Sequence, residues 1–234
     1  INGIDYFDYN PASDKSLPVQ YDWHTATQGK AANKAALQEK LGLPVSRDIP
    51  LFCVTSRITF QKGFSLIMGI MDWLLKQELQ LIILGDGDAY YVDKLKDWQR
   101  HYPKRLIFLP YNDNWQFEQL IYAGSDCLLL PSHHEPCGLN QLIAMRYGCV
   151  PIVRNVGGLN DTVTNYNPRT KRGTGFVFNS FSNIALYTAI IRAIEDFYHE
   201  PSWDALVRRD MKQATSWKIP AQKYIRLYRR ALRY

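Results

Sequence analysis

Past residue 50 the chain alternates between two hydrophobic rhythms. Unbroken apolar runs stand at Leu51–Thr55, 81–84, Leu106–Leu109, 126–130 and 150–153. Between them apolar residues recur every three or four positions, over 64–76, 90–101, 115–123 and 139–147. Continuous short runs fit strands buried on both faces, and the longer period fits helices. Strands alternating with helices imply a parallel sheet covered on both sides. The expected fold is therefore α/β, a doubly wound, Rossmann-like parallel sheet.

The flanks read differently. Residues 1–50 are punctuated by Pro11, Pro18, Pro44 and Pro50, with one helical stretch over 30–41 that stops near Gly42. Residues 183–234 are helical in pattern throughout. In the last helix Ala221, Ile225, Tyr228 and Leu232 recur at three- and four-residue spacing, with Lys223, Arg226, Arg230 and Arg233 opposite. One face is expected to pack and the other to be wet. This gives one domain over 1–234: a lead-in with one helix (1–50), a Rossmann-like core (51–182) and C-terminal helices (183–234).

Composition narrows the class. A chain of 234 residues with 46% hydrophobic and 21% charged residues is globular in type. No apolar run is long enough to cross a bilayer, so no membrane partner is expected. Ile1-Asn2-Gly3-Ile4-Asp5 carries neither the basic region nor the apolar core of a signal peptide, and a chain opening on Ile1 is expected to be a domain of something longer. The net charge of +6 gathers partly on the last helix, where a solvated face accounts for it. Nucleic-acid binding would need a reading element as well, and none is present. The four cysteines form no Cys-x-x-Cys pair and the five histidines show no metal-ligand spacing. That usage fits a reducing compartment without a zinc site.

Chemistry-bearing residues collect after the expected strands. Ser56-Arg57-Ile58-Thr59-Phe60-Gln61-Lys62-Gly63 places two cations where they can meet an anion, Arg57 as a planar fork and Lys62 as a point charge. Gly85-Asp86-Gly87-Asp88 starts like a dinucleotide motif, but Tyr90 stands where the third glycine belongs, so a tight turn is the better reading. Tyr111 follows Leu106–Leu109 and could stack on a base or sit on the rim. Glu135 lies in Pro131-Ser132-His133-His134-Glu135-Pro136-Cys137-Gly138-Leu139-Asn140, between a strand and a helix N-terminus suited to phosphate. Gly157-Gly158-Leu159-Asn160-Asp161-Thr162 pairs glycines, which admit close backbone approach to a ligand, with a hydroxyl at Thr162, ahead of a helix capped by Asp161. A carboxylate beside a phosphate site suits a sugar.

These motifs resemble the bacterial glycogen synthase and plant starch synthase family, retaining glycosyltransferases of the GT-B fold, whose C-terminal half the whole chain matches. The resemblance runs through Asn2-Gly3-Ile4-Asp5, Ser56-Arg57 with Gln61-Lys62-Gly63, Glu135-Pro136-Cys137-Gly138-Leu139, Gly157-Gly158-Leu159 and Gly173-Thr174-Gly175-Phe176. It implies transfer of glucose from ADP-glucose to the non-reducing end of an α-1,4-glucan with retention, with ADP as product and no metal or other cofactor. It implies that Arg57 and Lys62 neutralise the diphosphate and that Glu135 binds the transferred glucose. It also implies that Gly138 and Leu139 offer backbone amides to sugar or phosphate, Tyr111 meets adenine and Thr162 lies near the phosphates. Gly85, Asp86, Cys137, Asn140 and Gly158 complete the implied binding set. Asn140 stands where threonine is usual, near the ribose. Ile143 stands where sister transferases carry a second glutamate, which favours the synthase branch.

The glucan is expected on an N-terminal domain outside this chain, so the chain alone is expected to bind nucleotide without transferring glucose. The location implied is cytoplasmic for a bacterial protein and plastidic for a plant one. Two other readings stand beside this one: a GT-B transferase using a UDP-sugar, against which Glu135-Pro136-Cys137-Gly138 speaks, and a non-catalytic module, against which intact Arg57, Lys62 and Glu135 speak. An NAD-dependent oxidoreductase is disfavoured by Tyr90.

Overall fold

The computed structural model describes residues 2–213 and 216–232. Ile1 and Arg233, named above, lie outside the described residues. In chain order the elements are α1 (Ala26–Lys40), β1 (Leu51–Thr55), α2 (Phe64–Leu74), β2 (Gln80–Leu84), α3 (Ala89–His101), β3 (Leu106–Leu109), α4 (Tyr111–Asn114), α5 (Glu118–Gly124), β4 (Cys127–Leu130), α6 (Asn140–Arg146), β5 (Val150–Arg154), α7 (Gly157–Thr162), β6 (Phe176–Phe178), α8 (Asn183–Phe197), α9 (Glu200–Lys212) and α10 (Lys218–Ala231).

The six strands form one parallel sheet in the order β3-β2-β1-β4-β5-β6. All residues of β1, β2 and β4 are buried, as the unbroken apolar runs predict for strands covered on both faces. The chain winds outward from β1 in one direction to β3, then returns to place β4 on the other side of β1. The order reverses between β1 and β4, and ligands of open α/β sheets sit beyond the carboxyl ends of the strands at such a point. The fold thus directs attention to the loops after β1 and β4, which carry Lys62 and Glu135.

Lys30 secures the helices around that point from below. Its buried ammonium donates to Ala123 O (2.9 Å), Ser125 O (2.8 Å), Tyr147 O (3.3 Å) and Tyr122 O (3.4 Å). These carbonyls end α5 and α6, where the last turns have no intrahelical partner. Burial lowers the Lys30 pKa, and the helix-end carbonyls hold the charge in place. Lys34 pairs with Asp126 at 2.7 Å, and Asp126 also accepts from Leu51 N–H (2.8 Å), joining α1 to the starts of β1 and β4.

Several expectations need correction. The first helix begins at Ala26 rather than 30, and Gly29 in its first turn lies flush against Tyr21, where a Cβ would come within 2.3 Å of the Tyr21 Cβ. The stretch expected as one helix over 115–123 breaks into a 3-10 turn at Trp115–Phe117 and α5, with the short helix α4 ahead of it. The glycines at 157 and 158 open α7 instead of preceding a helix capped by Asp161. The strand β6 was not expected. The last helix forms, but its apolar face does not pack: every residue from Ala221 to Leu232 is exposed, Tyr228 at 62% and Leu232 at 86%. An amphipathic period reports that a face is suited to cover, and no described residue covers this one.

Candidate active site

Lys62 and Glu135 meet at the switch point. Lys62 closes the short 3-10 turn Phe60–Lys62 after β1, and Glu135 lies in the loop after β4. Their Nζ and Oε2 are 2.6 Å apart, with side chains 18% and 9% exposed. Ser132 Oγ donates to the same oxygen at 3.2 Å. A charge pair so little exposed at a loop edge is costly to desolvate and is retained by good geometry. Arg57 lies on the same loop as Lys62, exposed, and no carboxylate pairs with it among the described residues. The site therefore presents one free cation, one cation held by a carboxylate, and that carboxylate.

The Glu135 loop is gripped from both sides. On the β1 side, His133 N–H donates to Gln61 O at 2.8 Å. On the β5 side, Gly158 N–H donates to Glu135 O at 3.0 Å, and Arg154 Nε donates to Ser132 O at 2.8 Å. The glycines at 157 and 158 serve this contact. A Cβ on Gly157 would fall 2.1 Å from Glu135 O, and one on Gly158 would fall 1.8 Å from Cys137 O. The backbone here approaches the neighbouring loop.

The remaining residues sort by what their polar groups already hold. Gly85 and Gly87 run beside the loop after β1: a Cβ on either would sit 2.1 Å from Ser56 O or Ile58 O. Asp88 N–H donates to Ile58 O and Gly85 N–H to Leu109 O, so this turn spends those amides on neighbouring strand ends. Asp86 Oδ2 accepts from Asn112 N–H at 3.1 Å, tying the turn to α4. Asn140 Nδ2 donates to Thr55 O, and Thr162 Oγ1 donates to Gly158 O (2.6 Å) while accepting from Gln141 Nε2 (2.9 Å). Both side chains thus already hold partners within the protein. Cys137 and Leu139 are exposed on the loop, and Gly138 turns it with a φ of +65°. Tyr111 is 42% exposed at the start of α4.

Sequence reasoning missed Glu118. It begins α5, and burial raises its pKa, with a hydrogen bond from Tyr122 opposing the shift. Tyr122 OH shares a 2.6 Å hydrogen bond with Thr55 Oγ1 at the end of β1. Burial, then Glu118, also raises the hydroxyl pKa of Tyr111, and burial with Glu118 raises that of Tyr9. A glutamate inside a helical period gives no sequence signal of this grouping.

Two cavities lie elsewhere, one of about 320 Å³ between α1 and α9 and one of about 620 Å³ lined by Tyr6, Trp23 and Trp217. Asp126, on the first, precedes β4, so that cavity lies toward the opposite end of the sheet. No cluster of three or more metal-ligating side chains occurs among the described residues. None of the described helices is long and apolar enough to cross a membrane.

The model of the family described as Glycosyl transferases group 1 matches residues 36–214. The glycogen synthase of Clostridium novyi is 46% identical over 228 residues, covering 97% of this chain and 47% of that protein. The glycogen synthase of Kosmotoga olearia is 42% identical over 232 residues, with 99% and 48% covered. The catalytic domain of starch synthase IV from Arabidopsis thaliana, solved bound to ADP and acarbose, superposes with a TM-score of 0.92 at 33% identity, covering all of this chain and 49% of that one. The chain spans about half the length of the curated relatives it matches.

Proposed function

The chain belongs to the group 1 glycosyl transferases, and from that premise we propose that it is the donor-binding half of an enzyme transferring glucose from ADP-glucose to an α-1,4-glucan with retention. The Lys62–Glu135 pair at the β1/β4 switch point carries the reading. A diphosphate draws Lys62 and Arg57, and the carboxylate that Lys62 leaves accepts hydrogen bonds from the hydroxyls of the attached sugar. Cations gathered on the departing diphosphate stabilise the charge that grows there as the glycosidic bond breaks. The nucleotide identity is supported by the starch synthase bound to ADP and by the exposed ring of Tyr111, which follows β3 and would stack on adenine in this reading. Backbone amides of Gly138 and Leu139 before α6 complete the donor pocket, with Cys137 on its rim.

Retention through a covalent intermediate needs two carboxylates about 5 Å apart across the bond. Glu135 meets the sugar alone in this reading, so departure and attack take place on one face. A glycosyl-enzyme trapped on this chain would overturn that step. The glucan is held by the part of the longer protein outside the match, so this chain binds donor without turnover.

Calorimetric titration tests the assignment. The chain is expected to bind ADP more tightly than UDP, and ADP-glucose more tightly than ADP. Lys62→Ala should weaken ADP by about tenfold or more, the scale of a charge-assisted hydrogen bond. Glu135→Gln should not weaken ADP binding and should remove the gain from glucose. Preference for UDP, or an indifferent Lys62→Ala, would sink the reading.

A further inference from the structure

We propose that Arg154 is a positioning residue for Glu135, acting through the main chain of the loop that carries it. The inference deepens the reading above and rests on Glu135 being the carboxylate that meets the sugar. Arg154 ends β5, the strand beside β4. Its Nε donates to Ser132 O at 2.8 Å and its Nη2 to His133 O at 2.5 Å. A planar guanidinium that takes two consecutive carbonyls fixes the orientation of the peptide between them, which a single hydrogen bond cannot do. Ser132 is fully buried, and its hydroxyl reaches Glu135 Oε2. The orientation set at 132–133 therefore passes directly to the carboxylate three residues on.

Nothing acidic competes for the guanidinium: among the described residues no Asp or Glu pairs with Arg154. Its remaining company is aromatic. The Phe181 ring lies 5.4 Å from its Cζ, and His133 packs on Phe181 edge-on at 4.8 Å. The other grips on the loop's main chain, at Gln61 O, Gly158 N–H and Gln61 Nε2, which donates to His134 O at 3.4 Å, are neutral groups. Arg154 is thus the charged member of the grip on the loop's main chain, Lys62 holding the Glu135 side chain itself, and hydrogen bonds from a charged donor are the stronger kind.

Two amides report the clamp in the chain as it stands: His133 N–H, bonded to Gln61 O, and Gly158 N–H, bonded to Glu135 O. In Arg154→Ala both should exchange with deuterium about tenfold or more faster, while amides in β1 and β2 keep their rates. Arg154→Lys, which retains the charge without the fork, should recover part of the protection. If the alanine variant fails to fold, the lysine variant carries the test and must still exchange faster than the unsubstituted chain at these two amides. In titrations Arg154→Ala should lose the gain of ADP-glucose over ADP, as Glu135→Gln does, with ADP affinity within about twofold of the unsubstituted chain. Unchanged exchange at both amides overturns the clamp whatever the titrations show. Equal weakening of ADP and ADP-glucose, or lost protection through β1 and β2, overturns positioning in favour of a general structural role. Failure of the donor assignment has a separate signature, an unsubstituted chain that does not prefer ADP-glucose to ADP; hydrogen exchange then decides the clamp alone.

Discussion

Gly158→Ala is the sharpest perturbation that the geometry offers. The added Cβ lands 1.8 Å from Cys137 O, 2.4 Å from Cys137 C and 3.0 Å from Cys137 Cα. All three are main-chain atoms, so no rotamer change relieves the clash. Ordinary contact begins near 3.4 Å, and the carbonyl must retreat by more than about 1 Å. That movement also pulls on the 3.0 Å bond from Gly158 N–H to Glu135 O. Overpacking costs about 1–3 kcal/mol and a strained hydrogen bond about 1 more. Alanine is favoured over glycine inside a helix by about 1 kcal/mol, which offsets part. The net expectation is a loss of about 1–3 kcal/mol in urea unfolding. Function should suffer more, because a shift of about 1 Å in a reacting group can cost about a hundredfold. Asn160→Ala, exposed on the same helix, is the control: it changes helix propensity and meets nothing. A Gly158→Ala chain within about 0.5 kcal/mol of the unsubstituted one, with ADP-glucose affinity intact, would refute the argument that these glycines exist for the loop contact.

Two further outcomes follow from buried groups. Lys30→Met should cost about 3 kcal/mol or more in urea unfolding, since it strips a charged donor from four buried carbonyls at the ends of α5 and α6; a stable variant would show that those carbonyls find other partners. Asp210 is buried in α9 with no hydrogen-bond partner for either carboxylate oxygen among the described residues, and burial pushes its pKa well above the usual carboxylate range, with Arg209 opposing. The folded state then keeps a proton that the unfolded chain releases, so stability should fall as pH rises from about 4 through the raised folded pKa, by up to about 1.4 kcal/mol per pH unit. Asp210→Asn should flatten that slope; an equal slope in both chains would sink the assignment.

Strands of four or five apolar residues were legible because burial on both faces leaves no room for polar alternation. The strand Phe176–Phe178 was not, since three residues beside Gly173-Thr174-Gly175 show no period at all. The helix Gly157–Thr162 was hidden by its opening glycines, which propensity disfavours and which contact with the Glu135 loop requires. At the site, residue types at strand ends were informative because a parallel sheet brings every such end to one edge. What each side chain holds was not, because Asn140, Thr162 and Arg154 could face a ligand or a carbonyl with the same sequence.

That division of labour bears on the ligand itself. Asn140, Thr162, Ser132, Gln61 and Arg154 spend polar groups on partners within the protein. Arg57 is left exposed and unpaired by any carboxylate among the described residues, and Lys62 and Glu135 satisfy each other. A bare diphosphate that takes Lys62 leaves Glu135 a buried charge with only the Ser132 hydroxyl for company, and an uncompensated buried charge is costly. A sugar attached to that diphosphate returns hydrogen-bond donors to Glu135 while Lys62 keeps its new partner. In the proposed reading the same pair works against the product and for the donor, so ADP should leave more readily than ADP-glucose, a preference built from one ion pair at the point where the sheet reverses.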